Sequence, residues 1–167
     1  DVNVGTHAEP SWTGVYGILE FTPAKTPTKQ DDSDFDGGGW KSESVTALAW
    51  AINMKVARKV LESDATSYDP GQEVLRAASD EIGIDNRVEI RWYEYKGEAG
   101  GPEVEAYQGY ASVEWNPDGG SMDGLDTVSV VLSGLGVRTA ITHPATASAP
   151  TVYSVSPTSG VAGDLVV

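Results

Sequence analysis

The chain of 167 residues contains no cysteine, two histidines, and only 11 basic residues against 25 acidic ones. Without cysteine, disulfide bonds, thiol catalysis and cysteine-based zinc sites are excluded, and such a chain is typical of a reducing cytoplasm. At a net charge of −14 it lacks the lysines and arginines with which DNA-wrapping proteins neutralise phosphates. No run approaches the roughly 20 apolar residues of a membrane-spanning helix, so we expect no membrane partner.

Catalytic motifs are also missing. His7 and His143 lie near no candidate nucleophile, and no nucleophile elbow, phosphate loop or paired-histidine zinc motif occurs. We therefore expect a protein that is not an enzyme and has no cofactor. No signal peptide is visible, and an opening at Asp1 rather than Met predicts a start that was trimmed, processed or left out.

Alternating apolar and polar residues predict a mainly β protein: an antiparallel β-sandwich or curved sheet with one flanking α-helix. Strands are expected over 14–21, 45–60, 87–96, 104–115 and 125–137. The second of these is ambiguous, because its apolar residues also fit one stripe of a helix. Its large residues alternate with Ala, Asn and Lys, which favours a long strand.

One helix is predicted over about 70–82. Asp69 is a favourable N-cap and Pro70 suits the first helical position. Val74, Leu75, Ala78 and Ile82 form one apolar stripe, and Gly83 is a natural stop after the last turn.

Residues 22–39 contain two prolines, three glycines and a cluster of aspartates, which predicts a long loop or a mobile hairpin arm. Within them, DSDFDGGGWKSE fits the calcium-loop pattern D-x-[DN]-x-[DN]-G-x₅-E at every position, from Asp32 to Glu43. That loop needs flanking helices, and the upstream FTPAKTPTKQ cannot form one. The stretch is therefore interpreted as an interaction loop, since glycines followed by Trp40 can reach out and dock on a neighbour.

Over roughly residues 12–138 the chain resembles the major tail tube proteins of long, non-contractile-tailed (siphovirus-type) phages of actinobacterial hosts. The resemblance lies in WTGVYGILEFTPAKTPTKQDDSDFDGGGWKSESVTALAW, DPGQEVLRAASDEIGIDNRVEIRWYE, AYQGYASVEWNPDGG and DTVSVVLSGLGVR. The final PTVYSVSPTSGVAGDLVV, with its pattern P-x-V-x-x-V-x-P-x-x-G, resembles the opening of an immunoglobulin-like (IPT/TIG-type) domain.

The resemblance implies a tail tube domain over 1–138, a linker over 139–149 and the start of a truncated immunoglobulin-like domain over 150–167. Six copies would contribute strands to one ring-shaped β-barrel, and stacked rings would form a tube that viral DNA crosses during ejection without specific binding. The implied partners are further copies of the chain, a tape measure protein, and tail terminator and distal tail proteins. The implied location is the virion, after assembly in the host cytoplasm.

The resemblance to tail tube proteins also implies roles for specific residues. The arm between rings or subunits would carry Asp32, Asp34, Phe35, Asp36, Gly37, Gly38, Gly39 and Trp40. A negative lumen would repel DNA, and Glu105 and Glu114 are the candidate lumen-facing acids. Lys55, Arg58 and Lys59 would then have to face neighbouring subunits or a rim.

A second function is kept open: a secreted or surface β-sandwich module that binds carbohydrate in a calcium-dependent way. The acidic loop motivates it, together with four tyrosines that could line a sugar-binding face: Tyr93, Tyr95, Tyr107 and Tyr110. Such tyrosines are more often cross-strand packing pairs.

Overall fold

The computed structural model describes residues 1–34, 36, 38–97, 103–119 and 124–143, with the side chains of residues 103 and 104 left out. In chain order the elements are β1 (Val2–Asn3), β2 (Trp12–Thr13), β3 (Ile18–Asp31), β4 (Glu43–Ala57), β5 (Val60–Leu61), β6 (Asp64–Tyr68), α1 (Pro70–Ser79), β7 (Arg87–Tyr95), β8 (Glu103–Pro117), β9 (Thr127–Gly134) and β10 (Thr139–Ala140). The predicted immunoglobulin-like start and the linker beyond His143 lie outside the described residues. No described helix is long and apolar enough to cross a membrane.

Eight of these strands form one antiparallel sheet, in which seven follow the order β2-β1-β7-β8-β9-β4-β3 and β10 lies off this path. β10 pairs with the first half of β8, before the stretch that pairs with β9. β5 and β6 form a separate two-stranded ribbon. One edge of the sheet is the 14-residue β3 and the other is the short β2. The predicted fold, mainly antiparallel β with one flanking helix, is confirmed.

Alternation along the strands gives the sheet one apolar face, called the core face here, and one polar face. The buried cluster consists of Val2, Trp50, Ile52, Met54, Val56, Leu75, Val88, Ile90, Trp92, Ala111, Val113, Val128, Val130 and Leu132. The sheet curls over this cluster, since Ile18 and Phe21 of β3 line a cavity of about 40 Å³ together with Val2 and Ile90 from the other side.

The helix begins at Pro70, where the Asp69 carboxylate accepts a hydrogen bond from the Gln72 N–H at 2.8 Å. It ends at Ser79, so the predicted end at 82 was three residues too far. The Asp80 N–H donates to the Ala77 carbonyl, and such i→i−3 bonds tighten and close a last turn. Ile82 lies beyond this turn and is 87% exposed.

The segment 45–60 is a strand, as alternation predicted, with β4 ending at Ala57. Of the two alternatives for residues 22–39, a long loop or a hairpin arm, the structure has the hairpin, because β3 continues to Asp31 and pairs with β4. Its prolines are tolerated for a geometric reason. The Ala57 N–H donates to Gly17, so alternate residues of β3 face β4, and Pro23 and Pro27 turn their nitrogens to the open edge.

Trp50 lies at the level where β4 leaves its contact with β9. Its indole rests on two glycines: a Cβ atom added at Gly134 would lie 2.2 Å from Cε2, and one added at Gly109 would lie 2.8 Å from Cζ2. Trp50 Nε1 donates to the Gly136 carbonyl at 2.8 Å, and its ring lies 5.2 Å from that of Trp92. The site therefore accepts a large indole only because two neighbouring strands carry no side chain there.

Replacing Gly134 by Ala places a methyl group inside the volume of the indole. Overpacking of this kind lowers the free energy of unfolding by about 1–3 kcal/mol, and urea denaturation of purified protein measures the change. Ser133→Ala, one residue earlier in β9, is the matched control and is expected to stay within about 0.5 kcal/mol of the wild type. Equal unfolding midpoints for Gly134→Ala and the wild type would contradict the packing described for Trp50.

Candidate interaction surfaces

A two-stranded arm projects from the sheet. β4 pairs with β9 only over Ala51–Ala57, while its pairing with β3 continues from Lys25↔Trp50 to Asp31↔Glu43. We call residues 25–50 the arm. Apart from Trp50, its described residues are exposed on both faces. Because both faces are exposed, both are available to a second molecule. An isolated two-stranded ribbon is marginally stable in water, so such a contact would stabilise the arm.

The tip of the arm, residues 32–42, contains most of the residues predicted to make contacts. Asp32, Asp34, Asp36, Gly38, Gly39 and Trp40 all lie there and are exposed, while Phe35 and Gly37 lie outside the described residues. Gly38 and Gly39 have φ of +61° and +88°, a conformation that favours glycine. Trp40 follows them and is 84% exposed.

Hydrogen bonds within the tip hold its aspartates. Ser42 and Ser44 bond to Asp32 and lower the pKa of its carboxyl, and Asp34 Oδ1 accepts from the Asp36 N–H at 3.1 Å. The lowered pKa keeps Asp32 ionised at neutral pH, and the hydrogen bonds of both aspartates shape a turn.

The calcium-loop letters therefore fall in the connection of a β-hairpin. β3 ends at Asp31 and β4 begins at Glu43, so strands flank the stretch where the calcium-binding motif has helices. Across the part of the chain that the structure describes, no group of three His, Cys, Asp or Glu side chains is placed to hold a metal ion.

The polar face of the sheet carries several short polar side chains. Cross-strand pairing aligns two rows on it, Thr22–Asn53–Val131–Glu114 and Glu20–Lys55–Ser129–Asn116. Hydroxyl and amide groups dominate these rows, and Glu20 and Glu114 supply exposed negative charge.

Lys55 lies on this face, but its charge is neutralised. Its Nζ is 3.1 Å from Asp118 Oδ2, and the same carboxylate accepts hydrogen bonds from Ser129 and Thr127. The bond from Ser129, followed by that from Lys55, lowers the pKa of Asp118, so the acid stays ionised opposite the lysine.

Arg58 and Lys59, the other two cations of the predicted long strand, lie away from the polar face. The Arg58 side chain is 10% exposed and sits 2.7 Å from Glu73 of the helix. Its guanidinium lies 3.9 Å from the centre of the Tyr68 ring and 5.3 Å from that of Trp115. Lys59 is exposed in the turn that follows β4. Neither side chain belongs to the rows of the polar face.

Glu105 and Glu114 lie on opposite faces. The pairing of β8 is continuous from Glu105↔Glu94 to Pro117↔Val128, and residues an odd number of positions apart point to opposite sides of a regular strand. Glu114 shares the polar face, whereas Glu105 has the core-face parity. At most one of the two acids can therefore line a lumen formed by one face of the sheet, and the lumen itself stays a prediction.

The tyrosines considered as a sugar platform are also divided. Tyr107 packs beside Trp92 at 5.7 Å, whereas Tyr110 lies on the opposite parity of the same strand, 5.7 Å from His7. Tyr93 and Tyr95 form a pair at 6.5 Å. The four rings do not present one common surface.

A buried carboxylate that sequence reasoning did not single out joins the N-terminal segment to the sheet. Glu89 is 6% exposed and contacts Asn3 Nδ2 at 2.7 Å, Gln108 Nε2 at 2.8 Å and His7 Nδ1 at 3.1 Å. Burial alone would raise the pKa of Glu89, but these hydrogen bonds outweigh it and lower the pKa. In the sequence it is one more polar residue in an alternating strand, which gives no sign of burial.

The fold is shared with chains of solved phage-like particles. A chain of the structure titled "Virion of native gene transfer agent (GTA) particle" superposes with a TM-score of 0.51 and 11% identity, covering 85% of this chain and 96% of that one. A chain of "Tail of empty GTA particle computed with helical refinement, C6 symmetry" gives 0.52 and 10% identity, covering 84% and 94%. No protein-family model matches the chain, and no curated protein matches it.

The hydrogen bonds to Glu89 predict a pH-dependent stability. Because its folded pKa lies below the ordinary value of 4.5, its contribution is present above that value and is lost as pH falls through the folded pKa. Glu89→Gln should therefore melt at a lower temperature than the wild type at pH 7, with the gap closing towards pH 3. Glu81→Gln, at an exposed acid, is the control. A gap that is constant with pH would contradict the ionised state of Glu89.

Proposed function

We propose that this chain is a structural protein of a virion tail, in which six copies close into a ring and stacked rings form a tube around a lumen. The observation that carries the proposal is the arm, which leaves the sheet as two strands with both faces exposed. The shared fold with chains of gene transfer agent particles, one of them a tail described with C6 symmetry, supports the same role.

The arm is the element best suited to joining copies. Its strands bury almost nothing in their own chain, and a ribbon of this kind is stabilised when a second surface covers it. The proposal assigns that surface to another copy, so that the arm bridges subunits or successive rings. Long exposed strands promote aggregation of a monomer, and assembly covers them.

Ring closure has to accommodate the prolines of β3. The outward-facing positions of this edge alternate between residues that can donate a hydrogen bond, such as Lys25, and Pro23 and Pro27, which cannot. An uninterrupted ladder of backbone hydrogen bonds along this edge is therefore excluded. Contacts between copies at β3 must combine carbonyl acceptors with side-chain packing.

The polar face is the surface proposed to line the lumen. Its short hydroxyl and amide side chains leave a smooth wall, and Glu20 and Glu114 repel phosphates while Lys55 is held by Asp118. Screening limits such repulsion to about 8 Å at physiological salt, so acids on the wall itself matter most. DNA would pass such a surface without binding to it.

Replacing residues 27–48 by Asn-Gly tests the arm. The new turn would join Thr26 to Ala49, which are paired across the hairpin, and Asn-Gly is a favourable two-residue connection. The variant should unfold within about 1 kcal/mol of the wild type, since the core begins at Trp50. It should form no stacked rings in electron micrographs in which the wild type forms tubes of fixed diameter.

A wild-type protein that stays monomeric at high concentration would overturn the proposal. So would an armless variant that forms tubes like those of the wild type. Sedimentation velocity measures the size of both proteins alongside the micrographs, and circular dichroism establishes that the armless variant is folded.

Reversing charge on the polar face tests the assignment of the lumen. Tubes of the double variant Glu20→Lys, Glu114→Lys should retain a short duplex DNA at least about tenfold more tightly at low salt, and release it as salt rises. Glu81→Lys with Asp85→Lys makes the same charge change at exposed positions away from the polar face. Equal retention by the two double variants would contradict the proposed lumen.

Other parts of the expected function stay predictions. These are the linker beyond His143, the immunoglobulin-like start over 150–167, the siphovirus-type tail and the tape measure, terminator and distal tail partners. The predicted linker over 139–149 does not begin as one, because Thr139–Ala140 form β10 and pair with β8. No observation on the described residues favours a calcium-dependent carbohydrate-binding module.

A further inference from the structure

A pocket lies at the root of the arm, on the core-face side. β3, β7 and β8 surround it together with the segment after β9, and its volume is about 450 Å³. Its lining includes Phe21, Pro23, Lys25, Trp92, Tyr107 and Arg138. The Arg138 guanidinium lies 3.9 Å from the centre of the Tyr107 ring, so the pocket offers flat aromatic and cationic surfaces. We call it the root pocket.

Two carboxylates stand at the rim of the root pocket. Glu94 and Glu105 are directly opposite each other on β7 and β8, an arrangement of like charges that destabilises a strand pair. In the described part of the chain, neither carboxylate lies within ion-pair distance of a lysine or arginine. A cation brought by another molecule would relieve this repulsion.

The tip of the arm carries groups complementary to those of the root pocket, beginning with Trp40. It is 84% exposed, and within the described residues no aromatic or cation–π contact involves it. Lys41 follows it directly in the chain, and its Nζ lies 2.8 Å from Glu43 Oε1, an exposed ion pair of the kind that contributes little to stability. The tip therefore presents a large aromatic ring beside a cation, and the root pocket presents aromatic walls beside two acids.

The tip of the arm cannot reach the root pocket of its own chain. Lys25 lines the root pocket and pairs with Trp50, whereas the tip starts at Asp31↔Glu43, six steps farther along the ladder. At about 3.4 Å per residue, the tip begins about 20 Å from the pocket. Since the contacting features lie at opposite ends of one arm, a contact between copies is head-to-tail, and such a contact either closes into a ring or continues as a stack. The inference assigns it to the stack, because ring closure is already assigned to the sheets of the six copies.

We propose that Trp40 of one copy inserts into the root pocket of the next copy, against Trp92, Tyr107 and Arg138, with Lys41 facing Glu94 and Glu105. The inference rests on the proposed function of the arm and names the surface that receives it. Tryptophan is enriched among the residues that dominate interface energies, and a desolvated ring beside a guanidinium gains cation–π attraction.

Removal of the Trp40 indole tests the aromatic half of the contact. Trp40→Ala should weaken end-to-end association of rings at least about 30-fold, the fold-change typical of an interface hot spot, whereas Trp40→Phe retains most of it. Ile82→Ala removes an equally exposed apolar side chain (87%) from another surface and should leave association unchanged. Tubes of Trp40→Ala with the length and stability of wild-type tubes would overturn the inference.

Charge reversal tests the ionic half. Lys41→Glu should shorten tubes, and adding Glu94→Lys and Glu105→Lys in the same chain should restore them. A triple variant that assembles no better than Lys41→Glu alone would count against the proposed pairing.

The absence of cysteine from the chain allows a direct test by disulfide cross-linking. Lys41→Cys with Glu94→Cys should give a ladder of cross-linked chains on mild oxidation, and Lys41→Cys with Asp85→Cys, an exposed position outside the root pocket, should not. A Glu94→Cys, Ser148→Cys chain that closes an internal disulfide instead would place the chain's own C-terminal segment at the pocket and overturn the inference. If the wild type forms tubes but the Lys41→Cys, Glu94→Cys chain gives no ladder, this inference alone is overturned. A wild type that stays monomeric overturns the proposed function.

Discussion

The position of Trp50 is the constraint on which the rest of the structure depends. Its indole occupies space that two neighbouring strands leave by carrying Gly109 and Gly134, and its N–H is satisfied by the Gly136 carbonyl. The same residue pairs with Lys25 at the point where the sheet narrows to two strands. One packing contact therefore closes the core and fixes the base of the arm, so the direction of the arm is set by the body and not by the exposed strands.

The sequence predicted the elements whose signals are local. The N-cap Asp69 followed by Pro70 marked the start of the helix, and alternation marked β4 as a strand. The boundaries failed where they depend on neighbours in space. The predicted strand over 14–21 stops before Pro23, yet β3 continues through this proline because it lies at an edge where the proline nitrogen faces away from β4. Whether a strand is at an edge is a property of the whole sheet, which no local pattern reports.

The candidate surfaces divide in the same way. Composition located the tip, since glycines, aspartates and an isolated tryptophan are visible in any window of sequence. The polar face was not predictable as a set, because its rows join residues from four strands through a register that the sequence does not state. Parity alone could have separated Glu105 from Glu114, whereas the pairing of Lys55 with Asp118 needed the fold. Burial of Glu89 likewise arises from partners distant in the chain.

In the proposed tube, the acidic excess that would suit a lumen would also oppose assembly, because each copy would present negative charge to the next. Hydrogen bonds lower the pKa of Asp31 and Asp32 at the base of the tip, so these two acids would maintain repulsion between copies at neutral pH. A contact made only of ion pairs would be weak at such a surface, since exposed pairs contribute little and salt screens them. Burial of an aromatic ring does not depend on the sign of the surrounding charge. In the proposed tube, a chain of this composition would therefore join its copies mainly through apolar contacts, with Lys41 exchanging its own exposed partner for a local pair of acids.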